Sequence, residues 1–360
     1  MNRGSWQRLQ VDGRWLEGKE LQAFAHDLRT CDDTAEWAAP LAAVITDLSA
    51  KRGPLLMHTS GTTGTPKPIR ISRNDLRASA ALTAATFGLR PGDRALLCLP
   101  CDFVAGKMMV VRAMLLQLDL HLVDPRGSVL ANLRTHDLFR FAALVPLQLH
   151  RALQEDKARL QRQFDTILLG GGPVSDALIE DLQDLDVAVF QGYGSTETVT
   201  HVALRRLNGP GRSTVFEAIG KVHFGRDPRG CLVVYTPHLS TTQHVTNDLV
   251  ELIDDTHFHW LGRHDHVILS GGKKIFPEQL EARTAGVIPY PHYFTGVHDD
   301  VLGQAVMLVL ETDRPQQEVL PEVLSSLMTT LHPHELPRRV QALRRIQRTS
   351  GGKIIRGGTT

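Results

Sequence analysis

Residues 94–123, RALLCLPCDFVAGKMMVVRAMLLQLDLHLV, contain the pattern that decides the fold. A short apolar run at Arg94–Leu99 predicts a buried strand, and a second run at Leu120–Val123 predicts another. The intervening stretch, Phe103–Leu118, is long enough to form a helix. Because a helix between two buried strands is typical of a βαβ unit, we expect these strands to lie parallel in one sheet.

The same alternation continues on both sides of this stretch. Further apolar runs predict strands at Ala142–Val145, Thr166–Leu169 and Val187–Gln191. Helical patterning predicts helices at Leu21–Leu28, Ala35–Leu48, Asn74–Phe87, Pro146–Glu155 and Ser175–Leu185. Alternating strands and helices indicate an α/β fold, with helices layered on a sheet that is rich in parallel strands.

The pattern changes after about residue 213, where strands follow one another without helices. These strands are predicted at Cys231–Tyr235, Leu249–Ile253, His257–Leu261 and His266–Leu269, and they indicate a more antiparallel subdomain. A βαβ-like tail follows, with elements near Pro277–Thr284, Val306–Glu311 and Gln317–Leu331. We therefore predict a large N-terminal domain over residues 1–264 and a small C-terminal α+β domain over residues 265–360.

Composition and charge exclude several classes of protein. The formal net charge of +1 gives no electrostatic reason to expect a nucleic acid or an anionic membrane as a partner. The sequence contains neither a secretion-type start nor an uninterrupted apolar stretch of about 18 residues. Its four cysteines are too few for a disulfide scaffold in a chain of this size, and Cys98 with Cys101 lacks the second half of a zinc site. We expect a soluble protein of the reducing cytoplasm.

The first motif is rich in glycine and hydroxyl residues and follows the apolar Leu55–Met57: His58-Thr-Ser-Gly-Thr-Thr-Gly-Thr-Pro-Lys67. Such a loop lets backbone N–H and side-chain O–H groups converge on phosphate oxygens, and Lys67 adds a positive charge. It is not a Walker A loop, because Thr65-Pro66 precedes the lysine. A flexible Gly/Thr surface loop is the alternative interpretation.

Two glycine-rich turns follow predicted strands. The segment Gln191-Gly-Tyr-Gly-Ser-Thr-Glu-Thr198 lies at the kind of strand end where doubly wound sheets bind ligands. Tyr193 offers a flat face for a base, Thr196 a hydroxyl for phosphate, and Glu197 a hard oxygen for Mg²⁺. The segment Gly170-Gly-Gly-Pro173 permits close approach of a flat or anionic ligand. A structural turn with a buried tyrosine explains the first segment equally well, and a tight βα turn alone explains the second.

The fourth motif consists of ND at 247–248, LGRHD at 261–265 and SGGKKI at 270–275. The Asp248 carboxylate could accept hydrogen bonds from both hydroxyls of a ribose, and Arg263 could support the same sugar. Surface ion pairing explains either residue taken alone. The two side chains therefore indicate a sugar site only in combination with the other motifs.

The fifth motif is the tail RTSGGKIIR at 348–356, which in isolation indicates a solvated chain end. Together and in this order, the five motifs resemble those of the adenylate-forming superfamily, which includes acyl-CoA and aryl-CoA synthetases, luciferases and peptide-synthetase adenylation domains. The resemblance covers roughly residues 55–356. It implies an enzyme that uses ATP and Mg²⁺ to activate a small carboxylic acid and then transfers the acyl group to a thiol such as coenzyme A.

The resemblance implies a role for each matching residue. The β- and γ-phosphates of ATP would be held at Thr59, Ser60, Gly61, Thr62, Thr63, Gly64 and Lys67. Adenine would lie against the glycine-rich turns, at Gly171, Gly172, Tyr193 and Gly194. The ribose would be held by Asp248 and Arg263. Thr196 would contact the α-phosphate and Glu197 would bind Mg²⁺. Lys353 would bridge the acyl carboxylate and the α-phosphate, and Asp265 would be the hinge of a mobile C-terminal domain.

Within that superfamily the chain is most similar to the compact 2-succinylbenzoate–CoA ligases of bacterial menaquinone biosynthesis. The segments that carry this similarity lie at 97–115, 144–149, 193–201, 246–254 and 261–281. The resemblance implies 2-succinylbenzoate as the acid. The alternatives are another aryl- or acyl-CoA ligase, an enzyme that loads a carrier protein, and a non-catalytic acyl-nucleotide-binding module.

An aromatic dicarboxylate requires a cation for its second carboxylate and apolar walls for its ring. The candidates for the cation are Lys107, Arg112, His201 and Arg205. Lys107 is the odd residue in an apolar stretch, but a surface lysine that extends its ammonium group into water fits the same pattern.

Overall fold

The computed structural model describes residues 5–30, 35–50, 53–59, 67–349 and 353–356, and it begins with a hairpin. Strands β1 (Arg8–Val11) and β2 (Arg14–Glu17) pair antiparallel. The turn between them has positive φ angles at Asp12 (49°) and Gly13 (79°), a conformation that Asp-Gly pairs adopt readily. The apolar pattern predicts no hairpin here, although the Asp-Gly pair is a usable signal for one.

Two helices and a second hairpin follow. Helices α1 (Lys19–Thr30) and α2 (Ala35–Ala50) lie where the sequence predicts them. Strands β3 (Leu55–His58) and β4 (Pro68–Ile71) pair antiparallel and form a two-stranded sheet of their own. Residues 60–66, which join β3 to β4, lie outside the described part of the chain.

Helix α3 (Arg73–Phe87) has a defined cap at each end. The Ser72 side chain accepts a hydrogen bond from the Asp75 backbone N–H at the start, and Gly88 adopts a left-handed conformation at the end. These caps are local sequence signals. Accordingly, the predicted helix, 74–87, differs from the observed one by a single residue.

Strands and helices then alternate: β5 (Arg94–Leu97), α4 (Val104–Leu116), β6 (Asp119–Leu122), β7 (Phe141–Leu144), α5 (Pro146–Gln163), β8 (Thr166–Leu169), α6 (Asp176–Asp181) and β9 (Ala188–Gly194). Strands β9-β8-β7-β5-β6-β1 lie side by side in that order, and every neighbouring pair is parallel. Leu96 and Leu97 are neighbours on β5, so their side chains point to opposite faces of the sheet. Leu97 belongs to one apolar cluster and Leu96 to another. The predicted parallel-rich α/β sheet is confirmed.

Helix α5 is longer than predicted and contains a break. Its predicted end, Glu155, is next to Asp156, whose φ and ψ of −160° and 85° are not helical. The Asp156 carboxylate accepts a hydrogen bond from the Arg159 backbone N–H at 2.8 Å, as a residue that caps a new helix does. The predicted end therefore marks the kink, beyond which the helix resumes to Gln163.

The next strands extend the same sheet rather than forming another. They are β10 (His201–Arg206), β11 (Phe216–Ala218), β12 (His223–Arg226), β13 (Cys231–Tyr235), β14 (Gln243–Leu252) and β15 (His257–Arg263). All their pairings are antiparallel, and β10 joins them to β9. The result is a single 13-stranded sheet with a parallel part and an antiparallel part, as the change of pattern predicts.

The C-terminal residues form a separate sheet. After a 3₁₀ turn at His264–His266 come β16 (Ile268–Ser270), β17 (Lys273–Ile275), α7 (Pro277–Thr284), β18 (His292–Asp299), β19 (Gly303–Glu311), α8 (Gln316–Thr330) and β20 (Arg339–Leu343). Strand β19 pairs parallel with β20 across α8, which makes a βαβ unit; its first strand and its helix are predicted, and β20 is not. Strand β18, which pairs with β19, is not predicted. The change of sheet falls between Arg263 and Ile268, next to the domain boundary that we predict at 264/265.

Two further properties concern the described residues only. No helix among them is both long and apolar enough to cross a bilayer. Cys98, Cys101 and Cys231 are buried free thiols, and burial raises the pKa of Cys98 and of Cys101 to about 12. These thiols therefore stay protonated and unreactive near neutral pH.

Candidate active site

The end of strand β9, where the turn begins, requires glycine. A Cβ added at Gly194 would lie 2.2 Å from the Thr200 carbonyl oxygen, and one added at Gly192 would lie 3.1 Å from the His201 Cβ. The start of β10 therefore packs directly on the backbone of this turn. In the neighbouring turn after β8, Gly171 has a φ of 81°. Because β8 and β9 are parallel neighbours, both glycine-rich turns lie at the same edge of the sheet.

The turn after β9 also touches the hairpin that bears the first motif. The Thr196 hydroxyl, which is buried, donates a hydrogen bond to the His58 carbonyl oxygen at 3.3 Å. The two ends of the hairpin loop are tied together, because the Lys67 N–H donates to the Thr59 hydroxyl at 3.0 Å and the Thr59 N–H donates to the Lys67 carbonyl at 3.0 Å. The predicted phosphate ligands Ser60, Gly61, Thr62, Thr63 and Gly64 lie outside the described residues.

Tyr193 connects the turn to the antiparallel part of the sheet. Its hydroxyl donates a hydrogen bond to the Asp248 carboxylate at 2.6 Å. Its ring packs edge-on against Phe258, with a centroid distance of 5.2 Å, and against Phe216. Burial and the nearby Asp248 charge raise the pKa of Tyr193 well above its usual value, so the phenol remains a neutral donor. The predicted base-binding and ribose-binding residues are thus in direct contact.

Arg263 lies between two carboxylates. It is the cross-strand partner of Asp248 in the β14–β15 ladder, and its Nη1 is 3.8 Å from an Asp248 oxygen. Its Nε and Nη2 each donate to the Asp265 carboxylate at 3.0 Å, which is a bidentate pair. One guanidinium therefore contacts both the predicted ribose ligand and the predicted hinge residue.

Lys353, in the C-terminal part of the chain, interacts electrostatically with Arg263 and Asp248. Burial lowers the pKa of this lysine, the Arg263 charge lowers it further, and the Asp248 charge opposes both effects. The ammonium group is therefore in electrostatic interaction with both side chains. The fifth motif is in this way coupled to the ribose-type site.

Glu197 is exposed, and no described residue forms an ion pair or hydrogen bond with its carboxylate. No group of three or more His, Cys, Asp or Glu residues capable of holding a metal ion occurs in the described part of the chain. A free carboxylate at the end of the phosphate-type loops fits Mg²⁺, which usually binds one or two protein carboxylates and takes its other ligands from substrate phosphates and water.

A buried cation, Arg112, contacts Thr200 at the start of β10. Arg112 is 1% exposed, and its guanidinium donates to the Thr83 hydroxyl at 3.2 Å and to the Thr200 hydroxyl at 3.1 Å. No carboxylate among the described residues lies within ion-pair distance of it, and burial lowers its pKa to about 10. Buried charges are ordinarily paired. Arg112 is therefore a buried cation whose contacts in the described structure are these two hydroxyls and the Met109 sulfur, which lies 3.6 Å from its Nη1.

His201 adds a second polar group beside Arg112. Its Nδ1 lies 3.2 Å from the Thr200 hydroxyl, and its buried Nε2 has no hydrogen-bond partner in the described structure. Burial and the Arg112 charge hold the pKa of His201 well below its usual value, so the ring is neutral. An aromatic wall accompanies this pair, because the rings of Phe87 and His201 lie 5.9 Å apart.

The other two candidate cations already have partners. The Lys107 ammonium group donates to the Leu56 carbonyl at 2.9 Å, at the edge of β3. The Arg205 Nε donates to Gln191 at 2.8 Å, and its guanidinium lies over the Phe216 ring. Lys107 and Arg112 are five residues apart on α4, so they point in directions that differ by about 140°.

A cavity of about 300 Å³ lies elsewhere, on the C-terminal sheet. Its walls include Ser270, Gly271 and Lys273 from the fourth motif, together with Arg338. None of its lining residues belongs to the phosphate-type or base-type turns. This part of the fourth motif therefore faces a separate space from the one that Lys353 approaches.

The structure adds residues to which the sequence assigned no role. Thr200 bonds both Arg112 and His201, and nothing in its sequence context signals this. Arg356, the last residue of the fifth motif, forms a buried ion pair with Glu281. Its position in the motif is the only sequence signal for that pair.

The class of protein that this fold and site define is an AMP-binding enzyme. The family model described as "AMP-binding enzyme" matches residues 17–229, more than half of the 360-residue chain, and the chain belongs to that family. The predicted adenylate-forming family is thereby confirmed.

Among individual relatives, the chain is 25% identical over 340 residues to the 2-succinylbenzoate–CoA ligase of Bacillus subtilis (strain 168), covering 84% of this chain and 67% of that one. A solved acyl-CoA synthetase (AMP-forming)/AMP-acid ligase II-like protein from Dyadobacter fermentans DSM 18053 is 36% identical, with a TM-score of 0.59 and coverage of 89% and 92%. The o-succinylbenzoate coenzyme A synthetase of Bacillus subtilis, solved in complex with AMP, is 20% identical, with a TM-score of 0.76 and coverage of 98% and 97%. At that identity the likeness is one of fold.

Proposed function

We propose that this protein is an ATP-dependent acid–thiol ligase that converts 2-succinylbenzoate and coenzyme A to 2-succinylbenzoyl-CoA, AMP and pyrophosphate, as a step of menaquinone biosynthesis. The observation that carries the proposal is the meeting of four motifs. The Thr196 turn contacts His58 of the phosphate-type hairpin, Tyr193 bonds Asp248, and Lys353 interacts electrostatically with Asp248 and Arg263. The relatives described above are named for this reaction or for AMP-forming acyl-CoA synthesis.

The nucleotide would lie along this line of contacts. The first-motif loop from Thr59 to Lys67 would hold the β- and γ-phosphates. Adenine would lie between Gly171, Gly172 and Tyr193–Gly194. Asp248 and Arg263 would hold the ribose, Thr196 would contact the α-phosphate, and Glu197 would bind Mg²⁺. When bound, Mg²⁺ supplies positive charge to the phosphate oxygens.

The first chemical step joins two anions, and positive charge must offset their repulsion. A carboxylate oxygen of the acid forms a bond to the α-phosphorus, the bond from that phosphorus to the bridging oxygen breaks, and pyrophosphate leaves. Charge fixed at the reacting phosphate lowers such a barrier. The Lys353 ammonium group supplies it while contacting both the attacking carboxylate and an α-phosphate oxygen.

The second step does not need that lysine. The thiolate of coenzyme A forms a bond to the acyl carbon, and AMP leaves with the electron pair of the broken C–O bond. We propose that residues 265–360 rotate about Asp265 between the steps, as small domains do in closure motions. This rotation would withdraw Lys353 and bring in the Ser270–Lys274 loop, which faces a separate cavity in this structure.

Arg112 supports a dicarboxylate as the substrate. Its buried guanidinium has no carboxylate partner among the described residues, and the unpaired His201 Nε2 lies beside it. The second carboxylate of 2-succinylbenzoate would complete this pair with charge-assisted hydrogen bonds. We propose Arg112 with His201 for this role instead of Lys107, because the Lys107 ammonium group is bonded to Leu56 on another side of α4.

Exchange of labelled pyrophosphate into ATP over a panel of acids tests the proposal. We expect 2-succinylbenzoate to stimulate exchange far more than benzoate, a fatty acid or malonate. Strong stimulation by one of those acids alone would favour another acyl-CoA ligase. Binding of ATP without formation of acyl-AMP from any acid would favour a non-catalytic module.

We further propose a cytoplasmic location, which the buried free thiols of Cys98, Cys101 and Cys231 support.

A further inference from the structure

Arg356 is held by the most extensive set of charged contacts in the described C-terminal tail. Its Nη2 donates to Glu281 Oε2 at 2.7 Å, and its Nη1 donates to Glu281 Oε1. The same Nη1 also donates to the Phe294 carbonyl at 2.7 Å. The Phe294 N–H in turn donates to Glu281 at 2.9 Å. The side chains of both partners are largely buried, with 13% exposed for Arg356 and 16% for Glu281. A bidentate pair in such surroundings fixes a position as well as a charge.

This pair anchors the segment that carries Lys353. Arg348 and Ile354 form an antiparallel bridge, the Thr349 N–H donates to the Lys353 carbonyl at 2.8 Å, and the Lys353 N–H donates to the Thr349 hydroxyl at 3.2 Å. Ile354 packs against the apolar cluster of the C-terminal sheet that includes Tyr293 and Val309. Lys353 therefore lies on a short arm, residues 353–356, whose far end is Arg356.

The anchor also reaches the turn that joins the two sheets. Arg356 Nη2 lies 3.8 Å from Glu278 Oε1 on α7, and the same oxygen bonds the His266 ring. His266 is adjacent to Asp265, the proposed hinge. The second Glu278 oxygen is buried and has no hydrogen-bond partner in the described structure. The Arg356 side chain therefore links the Lys353 arm to helix α7 and to the hinge turn.

We propose that Arg356 is the positioning residue for Lys353, and that its pair with Glu281 makes the lysine arm and helix α7 turn as one body about the hinge. The inference rests on the proposed function, because it concerns how the adenylating lysine is placed. Arg356 contacts neither the nucleotide site nor the acid. It acts by fixing where the Lys353 ammonium group lies relative to Arg263 and Asp248.

The test compares Arg356→Ala, Arg356→Lys and Glu281→Gln with Lys353→Ala and with the double variant Lys353→Ala/Arg356→Ala. Arg314→Ala is the matched control, because Arg314 forms exposed ion pairs on the same domain, away from the tail. We expect Arg356→Ala to lower pyrophosphate exchange by about 100-fold, the loss that a misplacement of about 1 Å produces at a reacting centre. Thiolysis of supplied acyl-AMP should be unchanged, and the double variant should be no slower in exchange than Lys353→Ala alone.

A second readout does not depend on activity. In the free protein, the rate of Lys353 acetylation by an amine reagent, measured by mass spectrometry, should rise in Arg356→Ala and Glu281→Gln and stay at the wild-type value in Arg314→Ala. An intermediate rate is expected for Arg356→Lys, which keeps the charge and loses the bidentate geometry. These rates are measured on protein whose circular dichroism spectrum matches that of the wild type.

The outcomes separate the two proposals. A wild-type protein without exchange on any acid removes the proposed function, and the acetylation rates then still decide the anchoring role. Unchanged acetylation rates, equal losses in both half-reactions, or a double variant slower than Lys353→Ala would each overturn the positioning role of Arg356.

Discussion

The Tyr193 hydroxyl lies 2.6 Å from the Asp248 carboxylate, so the residue that we propose to lie against adenine also orients the residue that would hold the ribose. The two belong to different parts of the sheet, Tyr193 to β9 and Asp248 to β14. Their contact spans the junction between the parallel and antiparallel parts. A nucleotide bound there would be oriented at its base and its sugar by a single linked pair.

Replacement of Tyr193 by phenylalanine should weaken ATP binding without much change in kcat. The substitution keeps the ring and removes a hydrogen bond to a charged group, which contributes about 1.5–3 kcal/mol. We expect the KM for ATP to rise roughly 10-fold or more, since about 1.4 kcal/mol corresponds to a factor of ten. Tyr235→Phe is the control, because Tyr235 stacks on His223 outside the site. An equal effect of both substitutions would contradict the role of the hydroxyl.

Lys353 should show an early loss of activity at high pH. Burial and Arg263 lower its pKa, so the ammonium form that adenylation needs is lost at a lower pH than the value of about 10.4 for an ordinary lysine. The kcat/KM for pyrophosphate exchange in the wild type should therefore decline on the alkaline side. Lys353→Arg should retain its smaller activity to higher pH, and coincident profiles of the two proteins would count against the assignment.

Lys353→Ala should nearly abolish exchange and spare thiolysis of supplied acyl-AMP.

Glu197 should determine the response to metal. Glu197→Gln removes the one negative charge that the turn offers to Mg²⁺, so the Mg²⁺ concentration for half-maximal exchange should rise at least about 10-fold. Glu217→Gln, an exposed glutamate on β11, serves as the control. A metal titration that is identical in Glu197→Gln and the wild type would remove this carboxylate from the site.

Arg112→Lys should raise the KM for 2-succinylbenzoate roughly 10- to 100-fold, because a lost charge-assisted hydrogen bond corresponds to about 1.5–3 kcal/mol. Activation of a monocarboxylic acid, where detectable, should change much less. Arg205→Lys is the matched control, since the Arg205 side chain is already bonded to Gln191. A larger effect at Arg205 would move the acid pocket to that side of β10.

Gly194→Ala should destabilise the protein by about 1–3 kcal/mol, the usual result of overpacking, because its Cβ would lie 2.2 Å from the Thr200 carbonyl oxygen. Gly172→Ala is the control, because no atom lies within 4 Å of the added Cβ. The two melting temperatures measure this difference. A Gly194→Ala protein as stable as Gly172→Ala would show that the β9–β10 turn is not tightly packed.

Elements with a strong periodic pattern or a local stop signal could be predicted from the sequence. Helix α7 was predicted at its observed bounds, Pro277–Thr284, and strand β8 at Thr166–Leu169. Strand β18 was not predicted, because its polar residues and Gly296 interrupt the apolar alternation. Its place is set by eight pairings with β19, the next strand in the chain, with which it forms a hairpin.

The candidate site likewise has residues that the sequence identifies and contacts that it does not. Tyr193, Asp248, Arg263 and Lys353 lie in motifs and could be identified, and the structure brings them together. The particular arrangement, in which Tyr193 bonds Asp248 and Arg263 bonds Asp265, depends on the β14–β15 register and could not be predicted. Arg112 is one of four candidate cations. Its full burial separates it from Lys107 and Arg205, and its charge separates it from the neutral His201 ring.

The single large sheet limits how this chain could be shortened. Strand β11 pairs with β15, in which His257 faces Glu217 from 40 residues later in the chain. A stop after β12 would therefore expose an unpaired strand edge. Such edges recruit other chains and promote aggregation. A stop after Arg263 would keep all 13 strands paired as they are here.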